Sequence, residues 1–534
     1  MDKELEKNLI QRLAIGDGFR RIASRLPDKT ALIERRGEQD LRITYKEFND
    51  QLNRFARAMR ELELKKGDKV ACLGPNSIEF ATVLYGTPKG GFIFVPVNFF
   101  LPPEGILHIL DSAQVKVFIF DDAFLPTILQ VIDAKPKTVE HYIAMPITQE
   151  KQPDNSKIHN FHEILDRQSS AEIDDVIISE RDIAEISYTS GATAAPKGAI
   201  ISHLSTYISA LQTLIEMAPH LNQNAIIGLM ALPIFHCGAR THVTSGLFIG
   251  ASVVLFRNFE PIEIFEGIER EKINLLGGLP MMWRGLFFHP DFNKYDISSV
   301  TSGIYGMAPM DEKTLEFLVK YKGIDLYLNS GQTEFFPPTN YRTPQWQLTK
   351  KGNYWGAPGL VVDGAIMDDE GHLLPPGDVG EIVWRGPACM EEYLNNPEAT
   401  DESRKFGWHH SGDLGFIDED GLLKFVDRKK DMIKSGGENV SSIKIEETIL
   451  KDQRIVAVAV VGLPHEIWSE AVTAFIVPRT PGEITEEDLI QLCKTSLAAF
   501  EVPKKMVFVD QLPTTSTGKL RKNVLREQYA DLYL

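Results

Sequence analysis

A chain of 534 residues exceeds what one hydrophobic core supports, so two or more domains are expected. Hydrophobic residues make up 43% and charged residues 25%, the balance of an ordinary folded protein and not of a disordered one. A net charge of −17 excludes a global attraction for nucleic acid or anionic membrane. Any anionic ligand must then be held by local backbone N–H groups, helix N-termini and a few placed lysines or arginines.

Cys72, Cys237, Cys389 and Cys493 are far apart and form no CxxC pair, which speaks against a zinc site or a disulfide framework and for reduced thiols. The first ten residues mix Asp, Glu and Lys without an apolar signal core. No apolar run reaches the ~20 residues of a membrane span. A cytoplasmic protein with no integral membrane segment is expected.

In chain order, residues 44–66 read as a helix, with Thr44 as N-cap, Glu47 as capping-box partner, and Phe48, Leu52, Phe55 and Met59 at helical spacing. Strands are predicted at 69–73, 92–97 and 115–120, with helices at 78–86 and 106–110 between them. This alternation predicts parallel sheets with helices on their faces. Residues 134–182, richer in Lys, Gln, Asp and Ser, read as a surface excursion. A second alternation begins with a strand at 183–187 and a helix from His203, with further strands at 226–232, 252–256 and 274–276. After Gly356 the runs shorten (361–367, 381–385 and 422–426), as in a small antiparallel unit. Strands at 456–461 and 471–477 and helices at 445–450 and 486–497 make a compact α+β unit. The fold class is therefore α/β. A large N-terminal domain, 1–429, holds two parallel-rich sheets plus a small antiparallel barrel-like unit. A small α+β domain, 430–534, follows.

The strongest local feature is Tyr188-Thr189-Ser190-Gly191-Ala192-Thr193-Ala194-Ala195-Pro196-Lys197-Gly198, between a strand and a helix. Small residues let backbone approach a polyphosphate, hydroxyls add donors and Lys197 adds charge. It is not a Walker A loop, because Pro196 precedes the lysine and Gly198 follows it. Taken alone, a surface loop has the same composition. Four further segments follow: Gly306-Met307-Ala308-Pro309, Ser330-Gly331-Gln332-Thr333-Glu334, Trp408-His409-His410-Ser411-Gly412-Asp413 and Thr515-Ser516-Thr517-Gly518-Lys519.

These segments, in this order, resemble the signatures of the adenylate-forming superfamily, which includes acyl-CoA synthetases, peptide-synthetase adenylation domains and beetle luciferases. The resemblance spans roughly residues 20–525. It implies that Thr189, Ser190, Gly191, Thr193 and Lys197 hold the phosphates of ATP, with Ala192 and Ala194 departing from the family pattern. It implies that Gly306, Ala308, Pro309, Ser330, Gly331 and Thr333 flank the nucleotide, and that Glu334 holds Mg²⁺. Ser330 replaces the aromatic residue that stacks on adenine in the family, so another group such as Tyr305 would have to supply that packing. Asp413 takes the ribose hydroxyls, for which an acceptor-only carboxylate is suited. Arg428 reaches ribose or phosphate, and Lys519 is the catalytic lysine. Lys434, Ser435, Gly436 and Gly437 are assigned to the pantetheine path of coenzyme A, and the chain is expected to pivot near Lys430.

In Leu232-Pro233-Ile234-Phe235-His236 the family's amino-acid-activating members carry Asp where this chain has His236, so an amino acid substrate is disfavoured. His236 is a candidate catalytic residue alongside Lys519, Thr193 and Glu334, with a structural histidine as the competing reading. Gly277–Trp283 and Gly303–Tyr305 are expected to contribute to the acyl pocket. The activity implied is AMP-forming ligation of a short-to-medium, cyclic or aromatic acid to coenzyme A. The partners implied are the acid, ATP and coenzyme A, with a homodimer as the candidate assembly. A ligase that loads an acyl-carrier protein, or a luciferase-like relative, would share these motifs.

Overall fold

The computed structural model describes residues 2–36, 39–148, 158–189, 196–514 and 520–533, with Gln39 described by its backbone alone. Ser190, Gly191, Ala192, Thr193, Ala194 and Lys519 lie outside the described residues. Two compact units result: one formed by the chain up to Thr189 with Pro196–Asp363 and Trp384–His409, the other by Gly364–Val383 and the chain from His410.

The first unit contains two sheets. One has strand order 354–358, 335–342, 325–332, 302–305, 275–277, 226–229, 252–255, 30–36, 39–44. It is parallel from 325–332 across to 30–36 and antiparallel at both margins. The other has the order 392–393, 197–202, 183–189, 93–97, 69–73, 115–121, 141–145, 158–160, and is parallel except where 197–202 meets its neighbours. The expected alternation is present, with both parallel sheets flanked by helices.

Local rules account for the helices between them. Thr44 Oγ1 accepts from the Glu47 N–H at 3.2 Å, and Glu47 returns a bond to the Thr44 N–H at 2.8 Å, which starts the helix Tyr45–Glu61. Its apolar stripe (Phe48, Leu52, Phe55, Met59) is fully buried, at roughly 1.5–3 kcal/mol per large side chain. Phe19 and Tyr85, from the helices Ile15–Arg25 and Ile78–Lys89, close on Phe48 in edge-to-face contacts of 5.5 and 6.2 Å.

The surface excursion expected over 134–182 is corrected. His141–Met145 is a buried strand parallel to Val115–Asp121, and Phe161–Asp166 is a helix. Its apolar run is only a few residues long between polar flanks, so composition over a longer window hid it.

In the second unit, strands 363–367, 380–385, 409–417 and 423–428 adjoin in that order. A five-stranded sheet follows in the chain. In it Ser469–Pro478 pairs antiparallel with Ile455–His465 and parallel with Lys505–Phe508. The helices Ser442–Ile449 and Glu486–Ser496 pack on it through Ile445, Ile449 and Leu489. Among the described residues no helix is long and apolar enough to cross a membrane.

Candidate active site

The segments singled out in the first unit lie at or just beyond the C-terminal ends of parallel strands: 183–189, 226–229, 302–305 and 325–332. Open α/β sheets bind ligands at that edge. Thr189 and Lys197 stand at the two stems of the phosphate loop as cross-strand partners, and Thr189 Oγ1 donates to the Lys197 carbonyl at 3.4 Å. The Lys197 ammonium lies 5.1 Å above the Tyr393 ring, and the Tyr393 hydroxyl donates to Glu334 Oε1 at 2.9 Å. One aromatic side chain thus joins the loop lysine to the expected metal-binding carboxylate. Burial, then the nearby Glu334 carboxylate, push the Tyr393 phenol well above its usual range, so it stays a donor.

The turn that carries Glu334 also meets the helix Cys237–Ile249, where Cys237 Sγ and Thr333 Oγ1 are 3.5 Å apart. His236 is the N-cap of that helix: its Nδ1 accepts from the Gly238 N–H at 3.3 Å. The helix is tied to the strand feeding the phosphate loop by a buried ion pair. Arg240 Nη2 is 2.5 Å from Glu185 Oε1 and 3.1 Å from Ser187 Oγ. Removing one partner of such a pair costs about 3–5 kcal/mol.

Gly306 packs where a Cβ would come within 2.6 Å of the Asn329 carbonyl. Met307, Ala308 and Pro309 form an exposed turn, with Met307 in the left-handed region at φ 66°. Such strain at a turn is a mark of functional sites. Gly331 has a similar constraint, its Cβ position lying 2.6 Å from Pro337 Cβ. Ser330 Oγ is buried without a partner among the described residues. Tyr305 is 2% exposed and donates to Gln347 Oε1 at 2.9 Å, which keeps its ring in the core. Trp283 is likewise core, filling the space beside Gly303 and donating to the Ile304 carbonyl at 3.1 Å, whereas Met281 is 67% exposed.

In the second unit, Asp413 and Arg428 are cross-strand partners, with Arg428 Nε 3.4 Å from Asp413 Oδ1. The Ser411–Asp413 stretch of strand 409–417 is held by Glu381, which accepts from the Gly412 N–H at 2.9 Å and also binds His410 and Lys429. Burial alone would raise the Glu381 carboxyl, but these partners bring it below its usual range. Lys434 and Ser435 lie on a hairpin strand whose loop is Gly436-Gly437, both with positive φ, and Lys434 Nζ donates to Asn439 Oδ1 at 2.5 Å. A Cβ at Gly436 would meet the Trp468 ring at 2.9 Å.

The model of the family described as "AMP-binding enzyme" matches residues 19–394, and that of the "AMP-binding enzyme C-terminal domain" matches residues 444–519. The chain belongs to the AMP-binding enzyme family. This AMP-binding enzyme is 32% identical over 519 residues to the long-chain-fatty-acid–CoA ligase FadD13 of Mycobacterium tuberculosis, covering 97% of this chain and 98% of that one. It is 30% identical over 488 residues to the feruloyl-CoA synthase of an Amycolatopsis species, covering 91% and 94%. ATP-bound MatB from Rhodopseudomonas palustris is similar in structure, with a TM-score of 0.85 at 28% identity over 97% of this chain and 100% of that one.

Sequence reading of this AMP-binding enzyme missed Tyr393, Arg240, Glu185 and Glu381. Tyr393 sits on a two-residue strand, too short to register as a pattern. The only local cue near it is the Asn396-Pro397 helix start that follows. Nothing in the composition around Glu185 or Glu381 marks them, because Arg240 and Gly412 lie far from them in the sequence.

Proposed function

We propose that this enzyme is an AMP-forming acid–thiol ligase. It joins a carboxylic acid to ATP, giving acyl-adenylate and pyrophosphate, and then passes the acyl group to the thiol of coenzyme A. The observation that carries the reading is Tyr393, which links Lys197 and Glu334 at the strand ends where the phosphate loop begins. The relatives named above are CoA ligases or synthetases over nearly their whole lengths, which supports the same reading.

In the first step the carboxylate oxygen attacks the α-phosphorus and pyrophosphate leaves. The acid is its own nucleophile, so the protein supplies position and charge. Thr189, Ser190, Gly191, Thr193 and Lys197 hold phosphate oxygens. Asp413 accepts from the ribose hydroxyls with Arg428 beside it, while Gly306, Ala308, Pro309, Ser330, Gly331 and Thr333 flank the nucleotide. Lys519 stabilises the charge that builds on the transferring group. Glu334 suits Mg²⁺. No group of three His, Cys, Asp or Glu among the described residues could cage a metal, and a magnesium ion held by one carboxylate completes its shell with phosphate and water oxygens. When bound, the ion neutralises phosphate charge. His236 orders the mouth of the acyl segment through its helix cap, a positioning role. In the second step the thiol sulfur attacks the acyl carbon, AMP leaves and the thiol proton passes to solvent. Lys434, Ser435, Gly436 and Gly437 are assigned to the thiol path, and the domain from residue 430 turns about Lys430 between steps. Four free cysteines, three of them buried, support a reducing, cytoplasmic setting.

The test is pyrophosphate release across linear, branched, cyclic and aromatic acids, followed by thioester formation with free coenzyme A or with acyl-carrier protein. Lys519→Ala should abolish pyrophosphate release while sparing transfer from supplied acyl-adenylate. Transfer to carrier protein alone would overturn the coenzyme A assignment, and no pyrophosphate from any acid would overturn the ligase reading.

A further inference from the structure

We propose that the acyl end of this site carries a polar reader, the Asn329 carboxamide oriented by His242. It selects acids that bear a neutral hydrogen-bond donor, a hydroxyl or amide N–H, on the skeleton away from the carboxylate. The proposal rests on the ligase reading above. His242 lies on the helix capped by His236 and is 7% exposed. Its Nδ1 is 2.8 Å from the Gly238 carbonyl oxygen, and its Nε2 is 2.6 Å from Asn329 Nδ2. A carbonyl oxygen only accepts, so Nδ1 must carry the proton. Burial pushes the imidazole down to about 4, so it is neutral near pH 7 and Nε2 offers a lone pair. The Asn329 amide group must therefore turn its NH₂ towards His242. That orientation leaves Asn329 Oδ1 buried, with no partner among the described residues.

The position of the pair gives the orphan its meaning. Asn329 precedes Ser330 on the strand that ends at the Thr333-Glu334 turn, and its carbonyl packs against Gly306. His242 and its acceptor Gly238 belong to the helix that begins at the acyl segment. Segments assigned to the nucleotide and the acid thus meet at Asn329, through its backbone carbonyl at Gly306 and its side chain at His242. Buried polar groups are nearly always paired, and a site built to accept from a substrate donor discriminates strongly against analogues that lack it. Neither His242, held neutral, nor the Asn329 amide offers a negative charge, so a neutral donor fits and a buried ammonium does not. An unbranched alkyl chain would seal Asn329 Oδ1 against hydrocarbon.

The experiment compares matched acids of equal length with and without one hydroxyl or amide N–H, placed at successive carbons. It measures kcat/KM for pyrophosphate release and, by calorimetry with a non-hydrolysable ATP analogue, binding without turnover. The expected result is a preference of roughly 10- to 100-fold for the donor-bearing acid at one position, in both readouts. Asn329→Leu should abolish that ratio by gaining on the unsubstituted acid as well as losing on the other, a change that a general loss of folding would not produce. Asn329→Ala, which removes the acceptor without adding bulk, gives the same reading where the leucine variant does not fold. No preference at any position, or a ratio preserved in both variants, overturns the proposal. Selective binding without pyrophosphate release from any acid would uphold the reader and refute the ligase reading.

Discussion

The proposed hinge gives a prediction that can be worked from distances. Asp427 is fully buried on the N-terminal side of the proposed pivot at Lys430, yet its Oδ2 binds residues beyond that pivot. It accepts from the Ser442 N–H at 2.6 Å, Ser442 Oγ at 2.8 Å and Ser441 Oγ at 3.3 Å, at the start of the helix Ser442–Ile449. The neighbouring tethers stay on their own sides: Lys429 pairs with Asp369 and Glu381, and Asp431 with Arg526. The proposed rotation about Lys430 would break the Asp427 contacts, so they would stabilise only one of the two proposed states. Asp427→Asn preserves the shape but removes the charge and turns one acceptor into a donor that faces other donors. Hydrogen bonds to a charged group are each worth about 1.5–3 kcal/mol. Losing one such bond shifts the balance between states by roughly 10- to 150-fold, at 1.4 kcal/mol per tenfold. The assay measures pyrophosphate release and thioester formation from supplied acyl-adenylate separately, alongside thermal unfolding. The ratio of the two rates should change by at least tenfold with unfolding still cooperative. A ratio within about twofold of wild type, with a lowered unfolding temperature, would show that Asp427 supports the fold without setting the state.

Glu334→Gln should move the magnesium titration of pyrophosphate release to higher concentration, because the ligand loses its charge at constant size; an unchanged titration would place the ion elsewhere. His203 is 1% exposed and accepts from the Ile15 N–H through Nδ1, and burial pushes its imidazole down to about 4. Its folded pKa lies below the unfolded value of 6.5, so stability is full above pH 6.5 and falls as pH drops towards 4, by about 3 kcal/mol in all. Comparing the pH dependence of urea unfolding for wild type and His203→Gln checks this, and the two profiles should diverge only in that window. Gly356→Ala should destabilise by at least about 3 kcal/mol, since φ is +92° and a Cβ would lie 1.7 Å from the Tyr341 carbonyl oxygen; chemical denaturation measures it.

Much of this protein was legible in its residue order because the relevant physics is local. The Thr44–Glu47 capping box acts across one helical turn, and the buried parallel strands announce themselves as continuous apolar runs such as residues 70–73. The phosphate-loop stems, the Thr333-Glu334 turn and the Asp413 strand are contiguous words whose chemistry needs adjacent residues, so they could be placed before any fold was known. Tertiary structure alone decided what surrounds them. Tyr393 reaches Glu334 across 59 residues, Arg240 reaches Glu185 across 55, and His242 reaches Asn329 across 87. A histidine on an apolar helix and an asparagine in a strand carry no signal of their partnership. Only when the sheet brings them within hydrogen-bond distance, away from water, do the tautomer of one and the amide orientation of the other become determined. Asp427 is the same case at shorter range: it opens the charged run Asp427 to Asp431, and folding buries its carboxylate against the start of the helix Ser442–Ile449.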